Sequence, residues 1–413
     1  MRRCGFIPLL SWLTLSGLLF GTWACGKVAD EVGADGGGRD GALDSPGDVR
    51  VADAGVDSAA DVAAGGPFDA QEAGDTGLPR SCAPGGPGMT NCGPGGSGSE
   101  SCCTSLEVEG GTFYRTYDAD DAGTGSGEAG TGEADPATVS SFRLDKYLVT
   151  VGRFRQFVAA WHEGTGYFPA AGSGKHTYLN EGLGLSNNGS SGGYETGWDA
   201  VDWNNTTDID PTTANLQCGL GSFDNETFFT WTASAGTNEN LPINCVTWYE
   251  SYAFCIWDGG FLPSEAEWEY AAAGGSQQLE YPWGSAAPGT VCPGTGCDYA
   301  IYDCYYPDGS GGCTDVANIA PVGYASSGAG LWGQFDLAGE VWEWNLDWWA
   351  AYAPCIDCAN LAPAASTRVA RGGFYNALAL YLVVPSDRYL DDPSDRGRGN
   401  SIGFRCARIP VGP

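Results

Sequence analysis

LPINCVTWYESYAFCIWDGGFLPSEAEWEYAAAGG, residues Leu241 to Gly275, carries two helix starts in close succession. Thr247 and Glu250 have the T-x-x-E spacing in which a hydroxyl caps the third helical N–H and the glutamate caps the hydroxyl residue's own N–H. A helix is predicted from there to Trp257, before Gly259-Gly260. Ser264 and Glu267, just after Pro263, repeat the device, and the second helix is predicted to end at Gly274-Gly275.

Upstream, Val151, Phe154, Phe157, Val158 and Trp161 recur at helical spacing, with Thr150 as N-cap. VEGGTFYR (Val108 to Arg115) and the start of SFRLDKYLVT (Ser141 to Thr150) read as strands. Tyr117 to Thr138 reads as a loop, residues from about Gly164 to Asn240 as long loops with short strands, and the chain beyond Tyr281 as short strands and turns. A few helices among many short, glycine-punctuated strands give an α+β fold class.

Composition divides the 413 residues into a structured and an unstructured part. Fifteen tryptophans and 42% apolar residues suffice for a substantial core, while 65 glycines point to a loop-rich fold or low-complexity segments. The formal charge of −32 repels phosphate, so nucleic acid is excluded as a partner. That charge fits a soluble extracytoplasmic protein or one holding hard cations. With two histidines, His162 and His176, neither in a sequence cluster, a multi-histidine iron or zinc site is excluded.

Residues 1–25 have a basic n-region, Arg2-Arg3, and an apolar run from Phe6 to Trp23, the pattern of a secretory signal; an uncleaved membrane anchor is the alternative. Thr22-Trp23-Ala24-Cys25 resembles a lipobox, which makes Cys25 the candidate lipidation site, although Trp23 is an unusual occupant. The expectation is a bacterial protein exported to the cell envelope, an outer-membrane or surface lipoprotein. Residues 26–80 are rich in Gly, Ala and Asp and read as a disordered acidic linker. Residues 81–105 form a Cys-rich segment whose adjacent Cys102 and Cys103 suit disulfides better than zinc. Sixteen cysteines, less Cys4 and Cys25, leave an even fourteen, as disulfide pairing in an oxidising compartment requires. Proximity suggests Cys218 with Cys245, Cys292 with Cys297 and Cys304 with Cys313, though spacing cannot fix connectivity. Cys355 and Cys358 form a C-x-x-C, a spacing that serves redox chemistry, soft metals or a small structural disulfide; its loop position favours the last.

The opening stretch, with YPWG (Tyr281 to Gly284), FDLAGEVWEW (Phe335 to Trp344), RVARGGFY (Arg368 to Tyr375) and NSIGFRCAR (Asn400 to Arg408), resembles the formylglycine-generating enzyme, or sulfatase-modifying factor, family. The blocks stand in family order across a domain at 106–410. The resemblance implies an irregular, loop-rich fold related to C-type lectins. It also implies a disulfide between Cys255 and Cys406, whereas the positions of the family's second disulfide fall near Ala272 or Ala273 and on Asp387.

Active members of that family oxidise a cysteine of a target protein to formylglycine, using oxygen and one copper ion held by two cysteines. Two thiolates suit a soft Cu(I) ion. Carried across residue by residue, the copper positions are Ala377 and Leu382, and the serine of the family's G-G-S-Y block is Phe374. The resemblance therefore implies no catalytic residue in this chain, and copper is not expected. The family's calcium loop falls on Asp336, Gly339, Val341 and Glu343, with side chains from Asp336 and Glu343 and backbone carbonyls from the other two. Glu340 replaces the usual asparagine, and a second calcium site beginning at Asn318-Ile319 is cut short. The alternative for Glu343 is a buried, hydrogen-bonded carboxylate.

Phe374, Tyr375, Tyr381 and Tyr389 fall around the family's substrate groove. Relined with aromatic side chains, the groove suits a peptide or glycan ligand, or an unidentified protein partner. Two functions follow. One is a membrane-tethered binding module on a catalytically emptied scaffold; the other is an oxidase of the same family with altered catalytic ligands.

Overall fold

Helix α1 (Val151–Trp161) starts where Thr150 Oγ1 accepts the Arg153 N–H at 3.2 Å and stops at His162, which takes a left-handed conformation. Helix α2 (Trp248–Trp257) has the complete box: Glu250 N–H to Thr247 Oγ1 at 3.0 Å and Thr247 N–H to Glu250 Oε2 at 3.1 Å. Helix α3 (Glu265–Ala272) repeats it with Ser264 and Glu267 at 3.2 and 2.8 Å. Each capping hydroxyl contributes about 1 kcal/mol.

The structure is a computed structural model. It describes residues 78–82, 91–93, 98–117, 134–188, 192–204, 207–219, 227–288, 297–362, 366–378, 384–394 and 397–412. The chain divides into units 1–66 and 67–413, and all described residues belong to the second. The signal, Cys25, Cys292, Tyr381, Leu382 and nearly all of the linker lie outside the described residues. Among those described, no helix is long and apolar enough to cross a membrane.

The strands are β1 (Ser105–Val108), β2 (Gly111–Tyr114), β3 (Pro136–Val139), β4 (Phe142–Asp145), β5 (Ser186–Asn187), β6 (Trp342–Trp348), β7 (Cys355–Ile356), β8 (Cys358–Ala359), β9 (Arg368–Arg371), β10 (Arg388–Asp391), β11 (Ile402–Gly403) and β12 (Ala407–Arg408). They form small sheets ordered β1-β4-β12, β10-β9-β6-β11, β2-β3-β7 and β5-β8. VEGGTFYR is thus the end of one strand and the whole of the next. They part at Gly110, where a Cβ would lie 2.4 Å from the Val139 carbonyl oxygen. The loop expected over residues 117–138 ends early, because Pro136 begins β3 and pairs antiparallel with Tyr114. The α+β, loop-rich class holds.

The larger core joins α1, α2 and the C-terminal strands. Phe154 stacks on Phe254 at 5.6 Å and meets Phe404 edge-on at 6.1 Å. Burying each ring contributes about 1.5–3 kcal/mol. A disulfide between Cys255 and Cys406 crosses the same core. Cys82–Cys103, Cys92–Cys102, Cys218–Cys245, Cys304–Cys313 and Cys355–Cys358 are also bonded. Cys297 is disulfide-bonded too. Beneath the Cys-rich segment, Arg153 reaches Asp145 at 2.9 Å and Asp258 at 2.7 Å, and Arg408 reaches the same two carboxylates at 3.1 and 2.7 Å. Two charges of each sign are matched in that buried set, so its desolvation is offset only while all four remain.

Candidate functional site

Strand β9 runs into Gly372-Gly373, both with positive φ (100° and 76°), and this turn turns Phe374 and Tyr375 into a cleft. A side chain at Gly372 would press on the Trp268 ring, 3.1 Å from a Cβ there. The cleft, about 480 Å³, is bounded by Trp342, Phe374, Tyr375, Tyr389, Asp391 and Asn400, among others. Trp342 forms its floor, with Tyr389 stacked on it at 5.1 Å and Phe374 at 6.4 Å. Phe228 stacks on Tyr375 at 5.3 Å, and Tyr375 Oη donates to Asn400 Oδ1 at 3.1 Å. Tyr389 stays 41% exposed, so one aromatic ring faces solvent above a buried one.

Three of the four residues expected in a groove therefore meet. Trp342, Asp391 and Asn400 were missed. No alternation in WEWNLDW separates Trp342 from the core residues around it, because six of that strand's seven residues are buried.

The four positions expected to hold calcium lie beside this cleft. Asp336 Oδ2 accepts the Gly323 N–H at 2.7 Å. Gly339 N–H donates to the Gly372 carbonyl at 2.6 Å, and the Glu340 carbonyl accepts the Tyr375 N–H at 2.9 Å, so this loop braces the groove turn directly. Glu343 is held by Arg405 through both oxygens, at 2.6 and 2.8 Å. Its charge is already matched, and burial still holds its pKa up against Arg405. Asp336 is different: burial raises it to about 7, with Arg405 and the Gly323 N–H pulling down and Glu343 pushing up. Burial and Asp336 push Glu340 well up as well; its Oε1 accepts the Ala320 N–H at 2.8 Å, and its Oε2 is buried with no hydrogen-bond partner. Hard, buried oxygens and one orphan carboxylate atom fit a hard cation at Asp336 and Glu340. Glu343 offers no free oxygen, and among the described residues no three His, Cys, Asp or Glu side chains gather closely enough to hold a metal. The fit to calcium is thus partial. Asn318 serves its own loop, accepting from the Thr314 N–H at 2.8 Å and donating to the Tyr306 carbonyl at 2.7 Å.

His176, isolated in sequence, is not isolated in space. Its Nδ1 lies 3.0 Å from Glu195 Oε2 and its Nε2 3.1 Å from Glu267 Oε2, all buried. Burial alone would depress its pKa, but the two carboxylates outweigh that and lift it to about 10. Glu267 is also the capping residue of α3, so the imidazolium ties the segment from His176 to Glu195 onto that helix.

The sequence pattern of the sulfatase-modifying factor enzyme 1-like domain matches residues 95–410. The chain belongs to this family. It is 28% identical to the mouse (Mus musculus) formylglycine-generating enzyme over 282 residues, 67% of this chain and 68% of that one. It is 26% identical over 309 residues to the mouse inactive C-alpha-formylglycine-generating enzyme 2, covering 73% and 84% of the two chains. Among solved structures, PvdO from Pseudomonas aeruginosa covers 75% of this chain and all of its own, with 19% identity and a TM-score of 0.44.

Within this sulfatase-modifying-factor-family domain, Ala377 is a buried methyl group, 1% exposed, its N–H donating to the Phe374 carbonyl at 2.8 Å. Among the described residues every cysteine is disulfide-bonded. The described residues do not fit a copper ion held by thiolates.

Proposed function

We propose that this sulfatase-modifying-factor-family protein does not generate formylglycine and acts instead as a ligand- or partner-binding module. The observation that carries the reading is Ala377: the position on which the resemblance puts a copper thiol is a buried alanine, next in the chain to Asn376 of the groove. The family contains a relative whose name describes it as inactive, so emptying the scaffold has a precedent. With its thiol gone, the cleft is an aromatic floor, Trp342 and Phe374, under the exposed ring of Tyr389, edged by Asp391 and Asn400. Such a surface gives a peptide or glycan flat apolar faces to stack on and polar groups at the rim.

Calcium belongs to the same reading as a structural ion, with Asp336 and Glu340 as side-chain ligands and Gly339 and Val341 as carbonyl ligands. It would neutralise buried carboxyl charge and stiffen the loop that holds Gly372 and Tyr375. Tethering belongs to it too: lipid on Cys25, with residues 26–80 as spacer, would hold the domain off a membrane at the cell surface.

The test is incubation with copper, oxygen, reductant and a peptide carrying the C-x-P-x-R motif, followed by mass spectrometry. No formylglycine is expected beside an active family member as control. Conversion of the peptide would overturn the proposal in favour of an oxidase with altered ligands. For the anchor, the mature N-terminus is expected at a diacylated Cys25, and an unmodified start elsewhere would remove it.

A further inference from the structure

The C-x-x-C has no part in the groove. Cys355 and Cys358 join β7 to β8, and the two residues differ in exposure. Cys358 is 2% exposed, whereas Cys355 is half-buried on the wall of a second cleft of about 580 Å³. The other wall comes from Pro136, Thr138, Ser186 and Asn187, and Ile356, 67% exposed, stands at the lip. The cleft has the volume of sites that hold drug-sized ligands, so a thiol arriving there can come on a peptide segment.

The turn does not depend on its bridge. Between the two cysteines, Asp357 donates its N–H to the Thr138 carbonyl at 2.8 Å and accepts the Ser186 N–H at 2.8 Å. Its carboxylate takes the Ser140 N–H at 2.7 Å and the Ser140 hydroxyl at 2.8 Å. A bridge of sequence separation 3 also removes the least chain entropy of those present, against 151 for Cys255–Cys406 in the core. These hydrogen bonds hold the turn beside the bridge, as exchange with the fold retained requires.

We propose that Cys355–Cys358 is an exchangeable disulfide that oxidises a dithiol borne on a polypeptide. A partner thiolate attacks the accessible Cys355 Sγ. The Cys355–Cys358 bond breaks, and its electron pair leaves on Cys358 Sγ, which takes up a proton. The second partner thiol then attacks the partner sulfur of the mixed disulfide, forming the partner's own disulfide and releasing Cys355 as a thiol. Two electrons and two protons pass to this chain, and two partner thiols become one disulfide. This is independent of the groove reading.

The full chain is titrated with dithiothreitol, quenched with iodoacetamide and mapped by peptide mass, with circular dichroism at each step. Alkylation at Cys355 and Cys358 is expected at about a tenth of the reductant that opens Cys304–Cys313, whose Cys313 is also exposed, and with the fold retained. Opening only together with the other bridges, or only on unfolding, overturns the proposal. Cys358→Ser, which frees Cys355, is expected to form a mixed disulfide with a nitrothiobenzoate-activated cysteine peptide about tenfold faster than Cys355→Ser, which frees Cys358. Equal or reversed rates overturn it as well.

Discussion

Arg405 holds Glu343 by both carboxylate oxygens, Nε to Oε2 at 2.6 Å and Nη2 to Oε1 at 2.8 Å, with neither side chain exposed. The same guanidinium donates to the carbonyls of Phe335 and Asp336 at 2.9 and 3.0 Å. Glu343 therefore serves the core first, by fixing the arginine that organises the loop ahead of β6. Glu343→Gln leaves that arginine buried and uncompensated, and stability is expected to fall by about 3–5 kcal/mol. Urea unfolding measures it; a variant as stable as its parent would mean that the pair is not the anchor described.

Asp336 is the position at which calcium is to be sought. At a hundred times its dissociation constant, a cation bound only to the folded state adds about 2.7 kcal/mol. The melting temperature is expected to rise with calcium and fall with chelator in the parent, and to respond to neither in Asp336→Ala. A parent melting curve indifferent to chelator would remove the ion from the account.

His176 sets a pH dependence of definite sign. Burial would lower its pKa, but Glu267 and Glu195 lift it to about 10 in the folded protein, above the 6.5 of an ordinary imidazole. The stability it contributes is thus fully present below about 6.5 and is lost as pH rises through about 10. The difference in unfolding free energy between the parent and His176→Gln is expected to be largest near pH 6 and to shrink towards pH 10. At neutral pH the variant leaves Glu195 and Glu267 facing each other without their cation, at a cost of about 3–5 kcal/mol. A difference that grew with pH would contradict the clamp.

Tyr389 covers Trp342 in the groove at 5.1 Å. Removing it forfeits one stacked pair, worth about 0.5–1.5 kcal/mol, and wets the indole beneath. Tyr389→Ala is expected to fold, to shift the summed tryptophan emission slightly to the red, a shift lost when Trp342→Phe is added to both variant and parent, and to weaken whatever ligand the groove takes. A shift that persists without Trp342 would place Trp342 out of the groove's reach.

Gly339 has φ 76°, and a Cβ there would lie 2.2 Å from the Ile301 carbonyl oxygen, a backbone atom with no freedom to withdraw. Gly339→Ala combines a left-handed strain of about 1–3 kcal/mol with that clash. Loss of cooperative unfolding, or at least about 2 kcal/mol in urea, is the expected outcome; a neutral effect would show that the loop can open.

The sequence alone determined whatever depends on neighbours along the chain. Thr150, Thr247 and Ser264 start helices because a hydroxyl and the N–H three residues on are held together by local geometry, which no distant contact needs to create. The ordered blocks around them identified the family, and their spacing put Ala377 where the resemblance expects a thiol. Only the tertiary structure decided what lies between distant residues. Trp342 became a groove floor because β9 and β10 pair beside it, and His176 became a clamp because Glu267 is brought to it from 91 residues away. Glu343 turned to Arg405 for the same reason. A charge or an aromatic face acquires its role from what burial places against it, and that partner is chosen by packing.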